Sequence, residues 1–321
     1  MRIDVHQHLL SQPLLAALER RGAVPFLSRS ADGWTYHLAG EPDSALPAAD
    51  ADARRRAALL DDDGVDRALV LLSSALGIEH LPAEQAQPLL DAWHAGAAAL
   101  PSERFGAWAA IAVEQPDPAL VAPLLGRGFA GLSLPATALA TPAAVERLGP
   151  LLERLQEAGA PLFVHPGPVA LSGDPQAAGA PSWWPGMTGY VAQMNAAWHA
   201  FLHAGRPALP RLRVLWAMLA GLAPLQLERL AARGGPAARG ADDPLTFYDT
   251  SSYGPQAIAA VLRAIGPDQL VHGSDRPVVG AVVPPADTAL GHALLRVNPA
   301  RLLSPTTTEP RVPTGSGPSA S

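Results

Sequence analysis

The chain has 321 residues and a net charge of −6, and 48% of it is hydrophobic; that is enough for one large core or two ordinary ones. The acidic balance gives no reason to expect nucleic acid or an anionic membrane surface, and no apolar run approaches the ~20 residues of a membrane span. Cysteine and lysine are absent, so all 23 basic residues are arginine, which excludes thiolate ligands, Schiff bases, PLP attachment, a P-loop lysine and a carboxylated lysine bridging two metals.

The first strand pattern, residues 3–8, follows Met1 directly, with no secretory or transit pattern, which points to a cytoplasmic protein. It carries His6 and His8. Strand side chains alternate, so these two share a face, where two imidazoles are poorly satisfied unless something binds them. Residues 11–50, with Trp34 and Tyr36, exceed an ordinary loop and predict a small cap. Four later stretches share one grammar, a helical run, a glycine and a short β-rich run: "RRRAALLDDDGVDRALVLLSS", "LVAPLLGRGFAGLSLP", "LLERLQEAGAPLFVHP" and "AIAAVLRAIGPDQLVHGSD". Gly64, Gly128, Gly159 and Gly266 sit where a left-handed C-cap is wanted.

The strands predicted there, 67–73, 129–134, 161–165 and 269–274, are nearly continuous apolar runs, as in sheets covered on both faces. Further strands are predicted at 105–111, 212–218 and 245–250. Eight strands alternating with helices predict a (β/α)8 TIM barrel. A doubly wound sheet is the alternative, and its dinucleotide-binding form is disfavoured because no GxGxxG follows the first strand. Residues 166–190 form a long insertion after strand five, of the kind used as a lid or binding loop. The barrel is expected over 1–303, with a disordered tail over 304–321, "SPTTTEPRVPTGSGPSAS".

Three strand ends carry polar groups that a barrel would bring to one face: His6 and His8 on strand one, His165 on strand five, Asp275 on strand eight. Three imidazoles and a carboxylate suit one divalent ion, Zn2+ first, with Mn2+, Fe2+ or Co2+ as alternatives. A lone HxH or a single strand-end histidine is more often a satisfied polar residue; the placement on strands one, five and eight makes the set specific. Trp183, Trp184 and Tyr190 would wall a pocket for an apolar or aromatic substrate, or anchor the loop over the barrel mouth. Arg276 would hold a substrate carboxylate or, with Pro277, shape a turn. His199 and His203 share a helix face, but the Glu that marks a metalloprotease helix is missing after the first. His272 is expected to face away from Asp275.

The motifs "DVHQH", "DDDGVDRALV", "GLSL", "FVHP", "YDTS", "GSDRP" and "NPARLL" together resemble the amidohydrolase superfamily, in the branch related to aminocarboxymuconate-semialdehyde decarboxylase. The resemblance implies that His6, His8, His165 and Asp275 ligate a single metal. The carboxylated lysine of binuclear relatives falls near Ser133. Members of this branch commonly have HxGG after strand six, with that histidine acting in catalysis. Here the stretch reads "VLWAMLAGLAP", with Met218 at the histidine position, and a thioether cannot shuttle a proton.

The expected function is a metal-dependent hydrolase, in which metal-activated water attacks the carbonyl of an ester, lactone or amide of a small organic-acid-type substrate. Asp275 would be the general base. Losing a general acid/base forfeits ~10²–10⁴-fold in rate, so an activated ester or lactone is favoured over an amide. The alternatives are a non-oxidative decarboxylase of an aromatic or unsaturated carboxylic acid, as in the branch resembled, and a catalytically degenerate binding barrel. The partners expected are a small-molecule substrate and a second copy of the chain, from exposed apolar loops and family habit, with neither nucleic acid nor membrane.

Overall fold

The structure, a computed structural model, describes residues 1–169, 180–237, 240, 243–280 and 282–304. The tail expected over 304–321, apart from Ser304, and the middle of the 166–190 insertion lie outside the described residues.

Strand β1 (Ile3–His8) leads to a helix, Gln12–Glu19, that buries Leu14, Leu15 and Leu18 on one face. Each such leucine contributes roughly 1.5–3 kcal/mol on burial. The cap expected over 11–50 then forms as a three-stranded antiparallel sheet, β2 (Phe26–Ser30), β3 (Gly33–His37) and β4 (Ser44–Pro47). Asp52 starts the next helix, Ala53–Asp62, by accepting from the backbone N–H of Arg54 and Arg55. The helix stops at Gly64, whose φ is 65°. Gly128 and Gly159 also have positive φ, at 92° and 62°, whereas Gly266, expected as a left-handed cap, has φ 78° with ψ 177°, an extended conformation that is likewise closed to a residue with a Cβ.

The remaining strands are β5 (Arg67–Leu71), β6 (Phe105–Ala107), β7 (Ala109–Ala110), β8 (Leu132–Pro135), β9 (Leu162–His165), β10 (Val214–Trp216), β11 (Thr246–Asp249) and β12 (Leu270–Val271). All of their pairings are parallel. The third stave breaks at Trp108, so that β6 pairs with β5 and β7 with β8. The ring closes beyond β12, where residues 272–276 leave β11 and pair with β1. Val5 N–H donates to His272 O (3.0 Å), Asp275 N–H to His6 O (2.9 Å) and His8 N–H to Arg276 O (2.7 Å). This is the (β/α)8 barrel that the strand–helix alternation predicts. The last predicted strand, 269–274, is divided between two neighbours for the same reason.

The barrel interior is filled by side chains rather than water. Trp108 and Phe163 are buried there, and Trp108 Nε1–H donates to Val5 O at 3.0 Å. Among the described residues no helix is long and apolar enough to cross a membrane.

Candidate metal centre

Parallel staves present their C-terminal ends on one face, and there His6, His8, His165 and Asp275 meet. One donor atom from each lies within 4.8 Å of the others. His6 Nε2 is 3.3 Å from His8 Nε2, and Asp275 Oδ1 is 3.4 Å and 3.1 Å from those two nitrogens. The three rings stand edge to face, at 88°, 82° and 84°, with centroids 5.0–5.1 Å apart.

The Nδ1 of each ring is already committed. His6 Nδ1–H donates to Asp249 Oδ2 at 2.7 Å, His8 Nδ1–H to Leu71 O at 3.3 Å, and His165 Nδ1–H to Pro166 O at 2.9 Å. Each Nε2 lone pair is therefore left for the shared centre. Asp275 Oδ1 is buried yet makes no hydrogen bond. A cation with bonds of about 2.1 Å spaces its donors about 3.4 Å apart at tetrahedral angles and about 3.0 Å at right angles. The observed 3.1–3.4 Å separations among His6, His8 and Asp275 fit a single divalent ion, and a donor of His165 lies within 4.8 Å of the other three.

The charges agree. Burial opposes a charge on His6, but Asp249 and Asp275 outweigh it and hold its pKa at about 9. Burial likewise opposes ionisation of Asp275, but His6 and then His8 pull it down to about 2. Burial, with His8 and His6 beside it, depresses His165 well below an ordinary histidine, which keeps it neutral as a ligand must be. A field that raises an imidazole so far is one that favours a divalent cation.

Backbone geometry is spent on this arrangement. Asp275 has φ 58°, and Ser252, whose Oγ donates to Asp275 Oδ2 at 3.3 Å, has φ 63°. Non-glycine residues held there are strained and cluster at functional sites. A Cβ on Gly273 would come within 2.8 Å of both His6 Cβ and Asp249 Cβ, so only glycine lets those two meet. The Arg56 guanidinium, itself buried, donates to His8 O (2.8 Å), Gln7 Oε1 (2.6 Å) and Arg276 O (3.1 Å), clamping the first and last staves behind the ligands.

Above the cluster opens a cleft of about 670 Å³, walled by the cap, the segment after β9 and the loop after β12. That volume suits one small organic molecule.

The family model for amidohydrolases matches residues 3–304. The chain belongs to the amidohydrolase family. Three solved structures illustrate the likeness. A Metarhizium anisopliae IDCase shares 19% identity at TM-score 0.70, over 94% of this chain and 97% of its own. The 5-carboxyvanillate decarboxylase LigW from Sphingomonas paucimobilis shares 18% at 0.69, over 94% and 98%. The 2,6-dihydroxybenzoate decarboxylase from Rhizobium shares 16% at 0.65, over 94% and 98%. No curated protein matches the sequence.

In this amidohydrolase, two of the four expected substrate contacts wall the cleft, Trp183 and Tyr190. Trp184 does not; it packs on Trp183, ring centroids 5.6 Å apart, and opens the short helix Trp184–Met187. Arg276 is a correction too. Its guanidinium grips Asp63 through two 2.9 Å hydrogen bonds and is not part of the cleft wall, because a bidentate carboxylate partner already satisfies it. His199 gives its Nδ1–H to Asn195 O (2.8 Å) and packs on Trp198, while His203 is exposed; neither reaches the cluster or the cleft. His272 is buried, 4.0 Å from Asp4, outside the ligand set. Ser133 is buried and also outside it.

Met218 does stand at the cleft, at the end of β10. From Met218 to Leu222 the backbone is left-handed throughout, φ 49–65°, a conformation that costs roughly 1–2 kcal/mol per residue with a Cβ. Three side chains hold it: Met218 N–H donates to Asp249 Oδ1 (3.0 Å) and to Ser251 Oγ (3.2 Å), and Asn195 Nδ2–H donates to Gly221 O at 2.7 Å. Asp249 thus orients His6 with one oxygen and secures the strained turn with the other. Sequence reasoning noted "YDTS" without giving Asp249 a role. An acid at the C-terminal end of a barrel strand was the available signal. Asp4 was missed as well: its Oδ1 accepts from the N–H groups of His6 and Ser274, each at 3.0 Å, and joins the first stave to the last.

Proposed function

We propose that this amidohydrolase is a metal-dependent, non-oxidative carboxy-lyase of a small aromatic or unsaturated carboxylic acid. The observation that carries the reading is the convergence of His6, His8, His165 and Asp275 Oδ1 beneath a cleft with room for a small organic molecule. Support comes from the solved structures it resembles, several of which are decarboxylases of benzoate derivatives. One of them, the 5-carboxyvanillate decarboxylase from Novosphingobium aromaticivorans (16% identity, TM-score 0.72, 94% of this chain and 97% of its own), holds manganese and a nitrobenzoic acid. The three imidazoles favour Zn2+ and the carboxylate admits Mn2+, so both are candidates here.

A divalent ion held by the four residues would neutralise a carboxylate and an adjacent oxygen on the substrate. The reaction breaks the bond from ring or chain carbon to carboxylate carbon, releases CO2, and places a proton on the carbon left behind, with no net redox change. In this reading the ionised Asp275 relays that proton, taking it from solvent water and passing it to the carbon. One of its oxygens belongs to the cluster, and the other accepts from Ser252 Oγ at the cleft. Met218 contributes no proton, so Asp275 acts without an imidazole at the end of β10.

Hydrolysis is the second reading, favoured by the same thioether: a lone carboxylate beside an activated ester or lactone needs no separate proton donor for a good leaving group. A panel of hydroxybenzoic and unsaturated acids, esters and lactones separates the two. The expected result is CO2 release by manganese- or zinc-loaded protein, lost together with bound metal in His165→Ala. Hydroxy acids from lactones, or alcohol and acid from esters, without any CO2 would replace the carboxy-lyase by the hydrolase.

A further inference from the structure

The cleft has a sign. Among the described residues, its wall holds no arginine, and its histidines are the ligands His8 and His165. Three carboxylates apart from Asp275 do line it: Glu41, Asp43 and Asp50, all from the cap. Asp43 is paired with His37 at 3.0 Å. Glu41 has no cationic partner among the described residues. Its Oε1 accepts from the Tyr190 hydroxyl at 2.5 Å, a bond that joins the cap to the helix Gly189–Ala200 across the roof of the cleft. The rest of the wall is largely apolar and includes Leu38, Leu76, Val191, Val279 and Trp183.

Two facts follow from the chemistry of that pair. The Tyr190 hydroxyl proton is already given to Glu41, so the dyad faces an incoming molecule as an acceptor, not a donor. A half-buried carboxylate without a cation is costly, and a second carboxylate brought beside it would add repulsion in a medium less polar than water.

We infer that the substrate is a mono-acid with an apolar body whose far end carries a hydrogen-bond donor, an ammonium or a hydroxyl, and that Glu41 rejects substrates bearing a second carboxylate there. The inference rests on the carboxy-lyase reading for which end of the substrate meets the metal. It makes Glu41, held by Tyr190, a specificity-determining residue of the roof. Burial raises the pKa of Glu41 and the Tyr190 hydrogen bond opposes the rise; an approaching ammonium favours the charged form and an approaching carboxylate does not.

The test is calorimetric titration of manganese-loaded protein with three ligands of one shape: 4-(aminomethyl)benzoate, 4-(hydroxymethyl)benzoate and benzene-1,4-dicarboxylate. The amine and the alcohol are expected to bind at least about tenfold more tightly than the diacid, and the stronger of the two shows whether charge or hydrogen bonding dominates. In Glu41→Gln the margin over the diacid should fall to about threefold or less, and in Glu41→Arg the order should invert. The wild-type ranking stands without either variant folding. Equal binding of the three, or a preference for the diacid, overturns the inference. Failure of all three to bind while manganese binds overturns it together with the carboxy-lyase reading. The expected ranking without CO2 release from any acid would leave the inference intact and remove the carboxy-lyase alone.

Discussion

The floor and the roof of the cleft are built on different plans. On the floor, each ligand comes from the end of a barrel strand or its continuation, and each imidazole is fixed at its second nitrogen by a partner such as Asp249 Oδ2 or Leu71 O. On the roof, the Tyr190 hydroxyl of the segment after β9 donates to Glu41 of the cap, and Trp183 is 59% exposed. Rigid, fully partnered groups suit an ion whose bond lengths vary by tenths of an ångström. A roof with a solvent-exposed indole suits a ligand that must enter and leave. The barrel therefore decides what chemistry is available, and the cap decides on what.

The contrast can be tested at three depths. The largest effect is expected behind the wall, where fully buried Glu79 accepts from Ser74 Oγ at 2.6 Å and its Oε2 is unpartnered. Burial pushes its pKa to about 7, so the folded protein keeps it neutral and loses stability as pH rises from 4.5 to 7. Nearby in sequence, His94 is held down to about 4 by burial and then by Arg127, so its contribution is complete above 6.5 and is lost as pH falls toward 4. The two slopes oppose each other in the native chain. Glu79→Gln removes one, and its stability relative to the native protein should climb with pH between 4.5 and 7 by up to about 3 kcal/mol. Urea unfolding at pH 5, 6 and 7 reads this directly; an offset that does not change with pH would show an ordinary carboxyl at Glu79.

On the floor, Asp249→Asn should weaken metal binding by about 10–100-fold, because the amide no longer fixes His6 as the carboxylate does. Competition with a chelator of known affinity measures it, and unchanged affinity would make Asp249 a prop for the Met218 turn alone. The smallest effect belongs to the roof. Tyr190→Phe should leave metal affinity untouched and weaken 4-(aminomethyl)benzoate by only a few-fold, the worth of one exchanged hydrogen bond. A loss of metal in that variant would mean that floor and roof are not independent.

The convergence of His6, His8, His165 and Asp275 was legible in the sequence because each lies at or beside a predicted strand end and a parallel barrel sends all such ends to one face. The position of Met218 was legible for the same reason. Arg276 was read as a substrate contact because it follows Asp275, but sequence adjacency carries no direction: its backbone pairs with β1, while its side chain turns to Asp63 on another element. Trp184 shows the same limit, since consecutive residues of a short helix point about 100° apart and only Trp183 reaches the cleft.

Alone, then, the sequence determined the alternation of strands and helices, the glycines that end the helices, and the four donors with their order along the chain. These are local properties, set by side-chain periodicity and backbone preference. The tertiary structure decided which acids stand behind and above them: Asp249, 243 residues from the His6 it orients, and Glu41, 149 residues from Tyr190. Such pairings depend on how the staves close and where the cap lands, and no local pattern of residues encodes them.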